Sequence, residues 1–170
     1  ILKKGIAAKI TSLGFDSKGN VQEQHKPQLM QGGSLWNGQL QTEGFYHRWM
    51  ALYNRVNQKG IKEVYEEAAY TWFNRFIALR FMEVNGFLPS KVRVFTDENG
   101  AFKPEILKEA MTVEIDGLDR NKVLDLLEKQ NNEELYKYLL ITQCNALGEG
   151  LPKMFEQISD WTELLFPPKL

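Results

Sequence analysis

The stretch YTWFNRFIALRFMEVNGFL, residues 70–88, most constrains the fold of this 170-residue chain, because it places six aromatic rings and two arginines close together. Gly86 and Pro89 supply a usual helix end, so the spacing predicts a helix from Ile61 to Asn85. At about 100° per residue, polar side chains fall on one narrow arc and apolar ones cover the remainder. Such a helix must be covered by neighbours on several sides. We therefore expect a central, nearly all-buried helix whose rings belong to the core.

The two arcs predict different surroundings for the side chains of this helix. The polar arc holds Glu67, Thr71, Asn74, Arg75, Ala78 and Asn85, and the apolar remainder holds Tyr65, Ala69, Tyr70, Trp72, Phe73, Phe76, Ile77, Phe81 and Val84. Arg75 is therefore expected in solvent. Arg80 and Glu83 project from the apolar side, three residues apart, and predict an internal ion pair that fixes helix packing. The functional alternative for Arg80 is contact with a nucleic-acid phosphate or a partner domain.

Hydrophobic spacing and capping residues predict helices on both sides of the central one. A first helix carries Ile6, Ile10 and Leu13 and ends at Gly14, and a second follows Thr42 as N-cap and ends at Gly60. Later helices are expected to begin at Pro104, Asp119, Asn132 and Pro152. The helix that begins at Asn132 is expected to end before Gly148, and the last helical stretch is expected to end at Pro167 and Pro168. The expected total is about six to eight helices.

Two segments lack helical spacing. Phe15 to Gln41 is rich in Gly, Asn, Gln and Ser and predicts a long surface loop that includes one short element. Trp36 is expected to be buried in the body of the domain and so to anchor this loop. Lys91 to Phe102 alternates briefly and contains an Asp-Glu-Asn-Gly turn at Asp97–Gly100, which predicts a short hairpin or edge strand. The expected fold class is therefore mainly α, a multi-helix domain around a central buried helix with at most a short β-hairpin.

Length and composition limit the class of protein. With 170 residues, 43% apolar and 25% charged, the chain is expected to form a single globular domain over residues 1–170. A formal charge of −1 gives no general attraction to nucleic acid or membranes. The lone Cys144 excludes an internal disulfide and fits a reducing cytosol. No apolar run is long enough to span a bilayer, so a soluble, cytoplasmic protein without a membrane partner is expected. The opening ILKKGI looks like a start inside a helix, so we expect a piece of a longer protein.

No catalytic, cofactor-binding or metal-binding residue is predicted. Two groups of glycines match neither a phosphate loop nor a dinucleotide loop and predict turns instead: Gly32, Gly33 and Gly38, and Gly148 and Gly150. Two pairs of adjacent carboxylates point to different helix faces and so do not suit acid and base roles: Glu66 with Glu67, and Glu133 with Glu134. Cys144 lies on an apolar helical face without an adjacent histidine, which indicates an inert core residue.

Two runs of sequence resemble one known family. AAYTWFNRFIALRFMEVNGFL, residues 68–88, resembles the N-terminal region of the PglX family, the large adenine-specific DNA methyltransferases of BREX phage-defence systems. LITQCNALGEGLPKMFEQISDWTELLFP, residues 140–167, is similar to a second stretch of the same family, in matching order. Together these runs cover less than a third of the chain. They are packing signatures and contain no catalytic motif.

The resemblance implies that the parent protein transfers a methyl group from S-adenosylmethionine to the exocyclic amine of an extruded adenine. Family members position that amine with an Asn-Pro-Pro-Tyr-like motif and hold the cofactor in a doubly wound sheet. This chain has neither that motif nor the glycine-rich loop, and its terminal LFPPKL does not substitute for them. The expectation is a noncatalytic helical N-terminal domain, with no cofactor of its own and S-adenosylmethionine required by the parent only.

The resemblance also implies partners for this region. They are the catalytic domain of the parent, DNA bound through the parent, and other phage-defence proteins. Lys91 and Arg93 are candidate DNA-facing residues, with ordinary solubility charges as the alternative. A freestanding helical interaction module, with the segment 15–41 as its binding surface, is the alternative function.

Overall fold

The computed structural model describes residues 1–155 and 161–167, and these residues form mainly α-helices with one small sheet. The helices are α1 Leu2–Ser12, α2 Glu43–Lys59, α3 Ile61–Val84, α4 Glu105–Lys108, α5 Arg120–Glu128, α6 Asn132–Gly150 and α7 Trp161–Leu164. The strands are β1 Gln28–Met30, β2 Gly33–Trp36 and β3 Gln39–Gln41, antiparallel in the order β1-β2-β3. The predicted mainly α class, with little sheet, is confirmed.

The chain divides into two compact units. Unit 1 comprises Ile1–Phe73 and Ser159–Leu170, and unit 2 comprises Asn74–Ile158. Helix α3 contributes its first half to unit 1 and its second half to unit 2. The single domain over residues 1–170 stays a prediction.

The core of unit 1 forms around Trp49 of α2. The Trp49 ring is fully buried, its Nε1 donates a hydrogen bond of 3.0 Å to the carbonyl oxygen of Leu13, and its centroid lies 5.4 Å from the ring of Phe15. Ile6 and Ile10 of α1 are buried in the same core. The first predicted helix and its apolar face are therefore confirmed.

Helix α2 begins and ends where its capping residues predict. The hydroxyl of Thr42 accepts a hydrogen bond of 3.0 Å from the amide of Phe45, which satisfies one of the free amides of the first turn. At the other end, Gly60 has a φ of 86° and donates its amide to the carbonyl of Val56. Glycine adopts this left-handed conformation without strain.

The expectation of a loop from Phe15 to Gln41 is wrong, because this segment contains a short 3₁₀ helix at Glu23–His25 and all three strands. Strands β2 and β3 are joined by Asn37 and Gly38, whose φ angles of 48° and 75° are both positive. An Asn-Gly pair is the strongest short-range signal for a hairpin. The signal was therefore present in the sequence, although the strands beside it are only three or four residues long.

Trp36 anchors this small sheet, as predicted for the segment. Its Nε1 donates a hydrogen bond of 2.9 Å to the carbonyl oxygen of His25, and its ring lies 5.3 Å from that of Phe45. The side chain is half-buried. It therefore holds the sheet against the start of α2, within unit 1.

The prediction of a hairpin or edge strand between Lys91 and Phe102 is also wrong, since no residue of this segment forms a strand. Its turn is present, because the carboxylate of Asp97 accepts from the amides of Asn99 and Ala101, both at 2.9 Å. The amides that a partner strand would need are used elsewhere. Those of Phe95 and Thr96 donate to the carboxylate of Glu83, which leaves no regular ladder to form.

The later helices of unit 2 follow their predicted starts closely. Asp119 caps α5 by accepting from the amide of Asn121, and Asn131, one residue earlier than expected, caps α6 by accepting from the amide of Glu134. Helix α4 begins one residue after the predicted Pro104 and comprises only four residues. Cys144 is buried as predicted, on a face of α6 whose buried apolar side chains are Leu135, Leu139, Leu140, Cys144 and Leu147.

Helix α6 does not end at Gly148, contrary to expectation, and both Gly148 and Gly150 lie inside it rather than in a turn. A Cβ atom on Gly148 would lie 2.3 Å from the carbonyl oxygen of Phe155. The absence of a side chain therefore permits the chain after α6 to approach the helix closely. The residues after Pro152 that were expected to form a helix lie partly outside the described residues, and 152–155 are not helical.

Candidate docking surface on helix α3

The second half of α3, in unit 2, buries a face that the sequence assigned to solvent or to an ion pair. Arg75, expected in solvent, is only 7% exposed, and Leu79 and Glu83 are buried with it. Arg75 also acts electrostatically on the thiol of Cys144. The prediction that Arg75 lies in solvent is therefore wrong, because packing within unit 2 buries its side chain although it lies on the polar arc of the helix.

The opposite side of this half of α3 is apolar and exposed. The side chains of Ile77, Phe81, Val84 and Phe87 are between 54% and 59% exposed. We call these four residues the apolar stripe. Their spacing of four and three residues along the helix puts the first three on one face, and the ring of Phe87 lies 6.0 Å from that of Phe81. The expectation that these rings and aliphatic groups belong to the core is wrong for the chain as it stands.

The first half of α3, in unit 1, shows the same division between neighbouring residues. Trp72 is fully buried, its Nε1 donates to the carbonyl oxygen of Thr162 at 3.0 Å, and its ring meets that of Phe166 edge-on at 5.0 Å. Tyr70 and Phe73 are 71% and 53% exposed. Only some of the rings that the sequence predicts as core are therefore buried.

The predicted ion pair between Arg80 and Glu83 is present and does more than join two residues of one helix. The guanidinium of Arg80 donates to the carboxylate of Glu83 at 2.5 Å and to the hydroxyl of Thr96 at 3.3 Å. The fully buried carboxylate also accepts from the amides of Phe95, at 2.7 Å, and Thr96, at 3.2 Å. This network fixes the position of the segment after α3. It also pairs the guanidinium of Arg80, which lies beside the stripe, with the carboxylate of Glu83.

Tyr136 of α6 supports the same segment. Its hydroxyl donates a hydrogen bond of 2.9 Å to the carbonyl oxygen of Val94. Burial, and then the nearby negative charge of Glu83, raise the pKa of Tyr136 above its usual range. The phenol therefore remains a neutral donor at physiological pH, and the position of the segment relative to α6 is fixed from a second side.

The two sequence-predicted DNA candidates, Lys91 and Arg93, lie in one groove at the end of α3. The groove has a volume of about 350 Å³ and is also lined by Val84 of the stripe. Lys91 donates its ammonium to the carbonyl oxygen of Gly86 at 3.0 Å, which satisfies a carbonyl at the helix end. The backbone amide of Arg93 donates to the Glu105 carboxylate at 3.0 Å, whereas the Arg93 guanidinium makes no hydrogen bond or ion pair with the described residues.

The helix end that carries this groove is rigidly defined. Gly86 has a φ of 68°, its amide donates to the carbonyl of Glu83, and the amide of Phe87 donates to the carbonyl of Met82 at 2.8 Å. This pair of bonds is the Schellman arrangement, which needs a left-handed residue in the position of Gly86. The sequence predicted this end correctly, and it turns Phe87 back beside Phe81.

A larger cavity of unit 2, about 440 Å³, lies between α6 and the segment before α5. Part of its polar lining is engaged within the protein. The hydroxyl of Ser90 donates to Oε1 of Gln143 at 3.2 Å, and the guanidinium of Arg120 donates to the carbonyl oxygens of Met111 and Val113. These bonds hold two connecting segments in place and do not converge on a reactive group.

In the part of the chain that the structure describes, no three His, Cys, Asp or Glu side chains cluster to hold a metal ion. No helix among the described residues is both long enough and apolar enough to cross a bilayer.

No protein-family model matches this chain, whereas two curated proteins do. The chain is 43% identical over 116 residues to adenine-specific methyltransferase PglX of Lacticaseibacillus casei (strain Zhang), a match that covers 64% of this chain and 10% of that protein. It is 32% identical over 174 aligned positions to adenine-specific methyltransferase BrxX of Escherichia coli O9:H4 (strain HS), covering 99% of this chain and 14% of that protein. The chain therefore spans a small part of the length of these relatives.

Proposed function

Because the chain belongs to the PglX family of adenine-specific methyltransferases, we propose that it is a noncatalytic, helical N-terminal region of such an enzyme. The parent would use S-adenosylmethionine to methylate adenine in DNA, in the cytoplasm, as part of a BREX phage-defence system. This region would support the catalytic domain and meet DNA only through the parent.

One observation carries this proposal. The relation to the BrxX methyltransferase extends over 99% of the chain at 32% identity, so it is not limited to one short motif. The same match occupies 14% of the relative, which leaves most of that protein to supply the chemistry. A helical region of this kind fits a structural role in a larger enzyme.

The geometry favours support over catalysis. A cofactor site of the doubly wound type lies at the carboxyl ends of parallel strands, next to a glycine-rich turn. The strands of the described residues are antiparallel and only three or four residues long. In the larger cavity of unit 2, Ser90, Gln143 and Arg120 form hydrogen bonds that stabilise connecting segments. The methyl donor would therefore bind in another part of the parent.

Two measurements test the proposal. The full-length protein should transfer a labelled methyl group from S-adenosylmethionine to the exocyclic amine of adenine in DNA. The 170-residue chain should give no saturable heat of binding with S-adenosylmethionine in a calorimeter. Stoichiometric, micromolar binding by the 170-residue chain, or a full-length protein that methylates no adenine, would contradict it.

The exposed apolar stripe also favours a second candidate function, a freestanding helical protein-interaction module. The two candidates differ in what the gene encodes after Leu170. A methyltransferase fold downstream in the same reading frame supports the first, and a stop codon close to that position supports the second.

A further inference from the structure

We infer that the apolar stripe and Arg93 together form a docking surface for another segment of the same polypeptide, outside these 170 residues. The occupant would present uncharged apolar side chains to the stripe and place a carboxylate at one end, against the Arg93 guanidinium. This inference rests on the proposed function, because it takes its occupant from the parent enzyme.

The first support is the exposure of the stripe itself. Four large apolar side chains, Ile77, Phe81, Val84 and Phe87, are each more than half exposed and adjoin one another. Single exposed apolar residues are ordinary on protein surfaces, whereas contiguous ones mark contact sites. Since α3 in unit 2 already buries Arg75, Leu79 and Glu83 on its other side, the stripe adds an exposed apolar face opposite a buried one, which is typical of a helix enclosed on both.

The second support is the distribution of charge around the stripe. Its neighbours on the helix surface are Asn74 and Asn85, which are uncharged, and Arg80, whose guanidinium is held by the buried Glu83. In the groove that Val84 also lines, the Arg93 guanidinium makes no hydrogen bond with the described residues, whereas the Lys91 ammonium donates to the carbonyl oxygen of Gly86. An apolar surface with one basic end fits an apolar partner with one acidic end.

The third support concerns which occupant is available. The chain covers 10% and 14% of its two relatives, and under the proposed function a long remainder of the parent polypeptide would be tethered to this surface at high effective concentration. A second copy fits less well, because the acid nearest the stripe on α3, Glu83, is buried and cannot reach the Arg93 of another molecule. DNA fits less well too, since uncharged side chains do not neutralise phosphates.

The experiment compares Phe81→Glu with Phe102→Glu in the full-length protein. Phe102 is 84% exposed and lies in a connecting segment of the same unit, outside the stripe. Phe102→Glu therefore makes the same chemical change as Phe81→Glu at a site that the inference does not involve. Phe81→Glu should lower the unfolding temperature and accelerate protease cleavage by roughly tenfold or more, because it places a charge in a dry interface. Phe102→Glu should change neither. In the 170-residue chain, circular dichroism should show the same unfolding midpoint for Phe81→Glu as for the unaltered chain.

The acidic end of the occupant is tested by Arg93→Glu with Lys103→Glu as control. Arg93→Glu should lower the unfolding temperature of the full-length protein by less than Phe81→Glu does, and Lys103→Glu should leave it unchanged. An Arg93→Glu variant that weakens DNA binding by the 170-residue chain, with full-length stability unaltered, would instead assign the groove to DNA and overturn the inference.

Two further outcomes would overturn it. One is a full-length Phe81→Glu protein that behaves like Phe102→Glu. The other is a 170-residue chain that sediments as a dimer and becomes monomeric on Phe81→Glu, which would assign the stripe to a second copy. These readouts do not depend on methyl transfer. A protein that shows the stability effect but no methylation would therefore contradict the proposed function alone.

Discussion

Arg80 and Glu83 lie one turn apart on α3, and their ion pair connects the helix to the backbone of the segment that follows it. The carboxylate of Glu83 is fully buried and accepts from Arg80, Phe95 and Thr96 at distances of 2.5 to 3.2 Å. A buried carboxylate with three donors is stable only because each donor is in place. The Glu83 carboxylate thus joins the backbone at Phe95 and Thr96 to α3, in addition to pairing with Arg80.

Glu83→Gln tests this role. The neutral amide keeps the size of the side chain but offers one acceptor oxygen and turns an NH₂ group toward amide donors. We expect the free energy of unfolding to fall by about 1.5 to 3 kcal/mol, the range for hydrogen bonds to charged groups. Chemical denaturation measures it, with Glu98→Gln on the exposed turn as the matched control. Equal midpoints for the two variants would show that the network contributes nothing.

Gly148 and Gly150 form a second matched pair, because both lie in α6 and only Gly148 faces another part of the chain closely. An alanine Cβ at 148 would lie 2.3 Å from the carbonyl oxygen of Phe155, whereas at 150 nothing lies within 4 Å. We expect Gly148→Ala to cost about 1 to 3 kcal/mol through forced backbone shifts. Gly150→Ala should be neutral or stabilise by roughly 0.5 to 1 kcal/mol, since alanine favours the helix. Thermal unfolding of both variants decides this, and a stabilising Gly148→Ala would contradict it.

Local signals in the sequence predicted several helix ends and one turn correctly, although not the end of α6. The Thr42 cap, the left-handed Gly60 and Gly86, and the Asp97 turn depend on residues close in the chain, so each is readable from a few letters. The small sheet was missed although Asn37-Gly38 signals its hairpin, because its strands are too short and polar to show a clear alternation.

Exposure along α3 could not be predicted from periodicity. A helix with apolar residues on two opposite faces gives no single preferred side, so the pattern does not say which face the rest of the chain covers. Arg75 is buried through tertiary packing, although its neighbours on the helical wheel are polar. The exposure of the apolar stripe depends on which face of α3 the rest of unit 2 covers, and this is set by tertiary packing. The lack of a hydrogen-bond partner for the Arg93 guanidinium depends on tertiary packing in the same way.

Trp72 and Phe73 provide a direct test of which face of α3 is covered in unit 1. The two are neighbours in sequence, yet Trp72 is fully buried and Phe73 is 53% exposed. In the 170-residue chain, Trp72→Ala should cost about 3 to 5 kcal/mol of unfolding free energy, because it leaves a large cavity and removes the indole hydrogen bond to the Thr162 carbonyl. Phe73→Ala should stay within about 0.5 kcal/mol of the unaltered chain. Denaturant midpoints measure both, and similar losses for the two variants would mean that both rings are core.

Cys144 makes the stability of the chain sensitive to alkaline pH. Burial raises the pKa of its thiol from 9.0 to about 12, against the opposing effect of Arg75. A group with a raised pKa in the folded state keeps its proton there longer than in the unfolded chain. Its contribution to stability is therefore complete below pH 9.0 and is lost progressively as pH rises toward about 12.

At pH 8 the native thiol should react with iodoacetamide only as fast as the protein unfolds, since the thiolate is the reactive form. Cys144→Ala should remove the part of the alkaline loss of stability that comes from the thiol. The loss that comes from Tyr136, whose pKa is also raised, should remain. Parallel denaturation curves at several alkaline pH values compare the two proteins. A native thiol that is labelled as rapidly as the denatured one would contradict the buried, protonated state of Cys144.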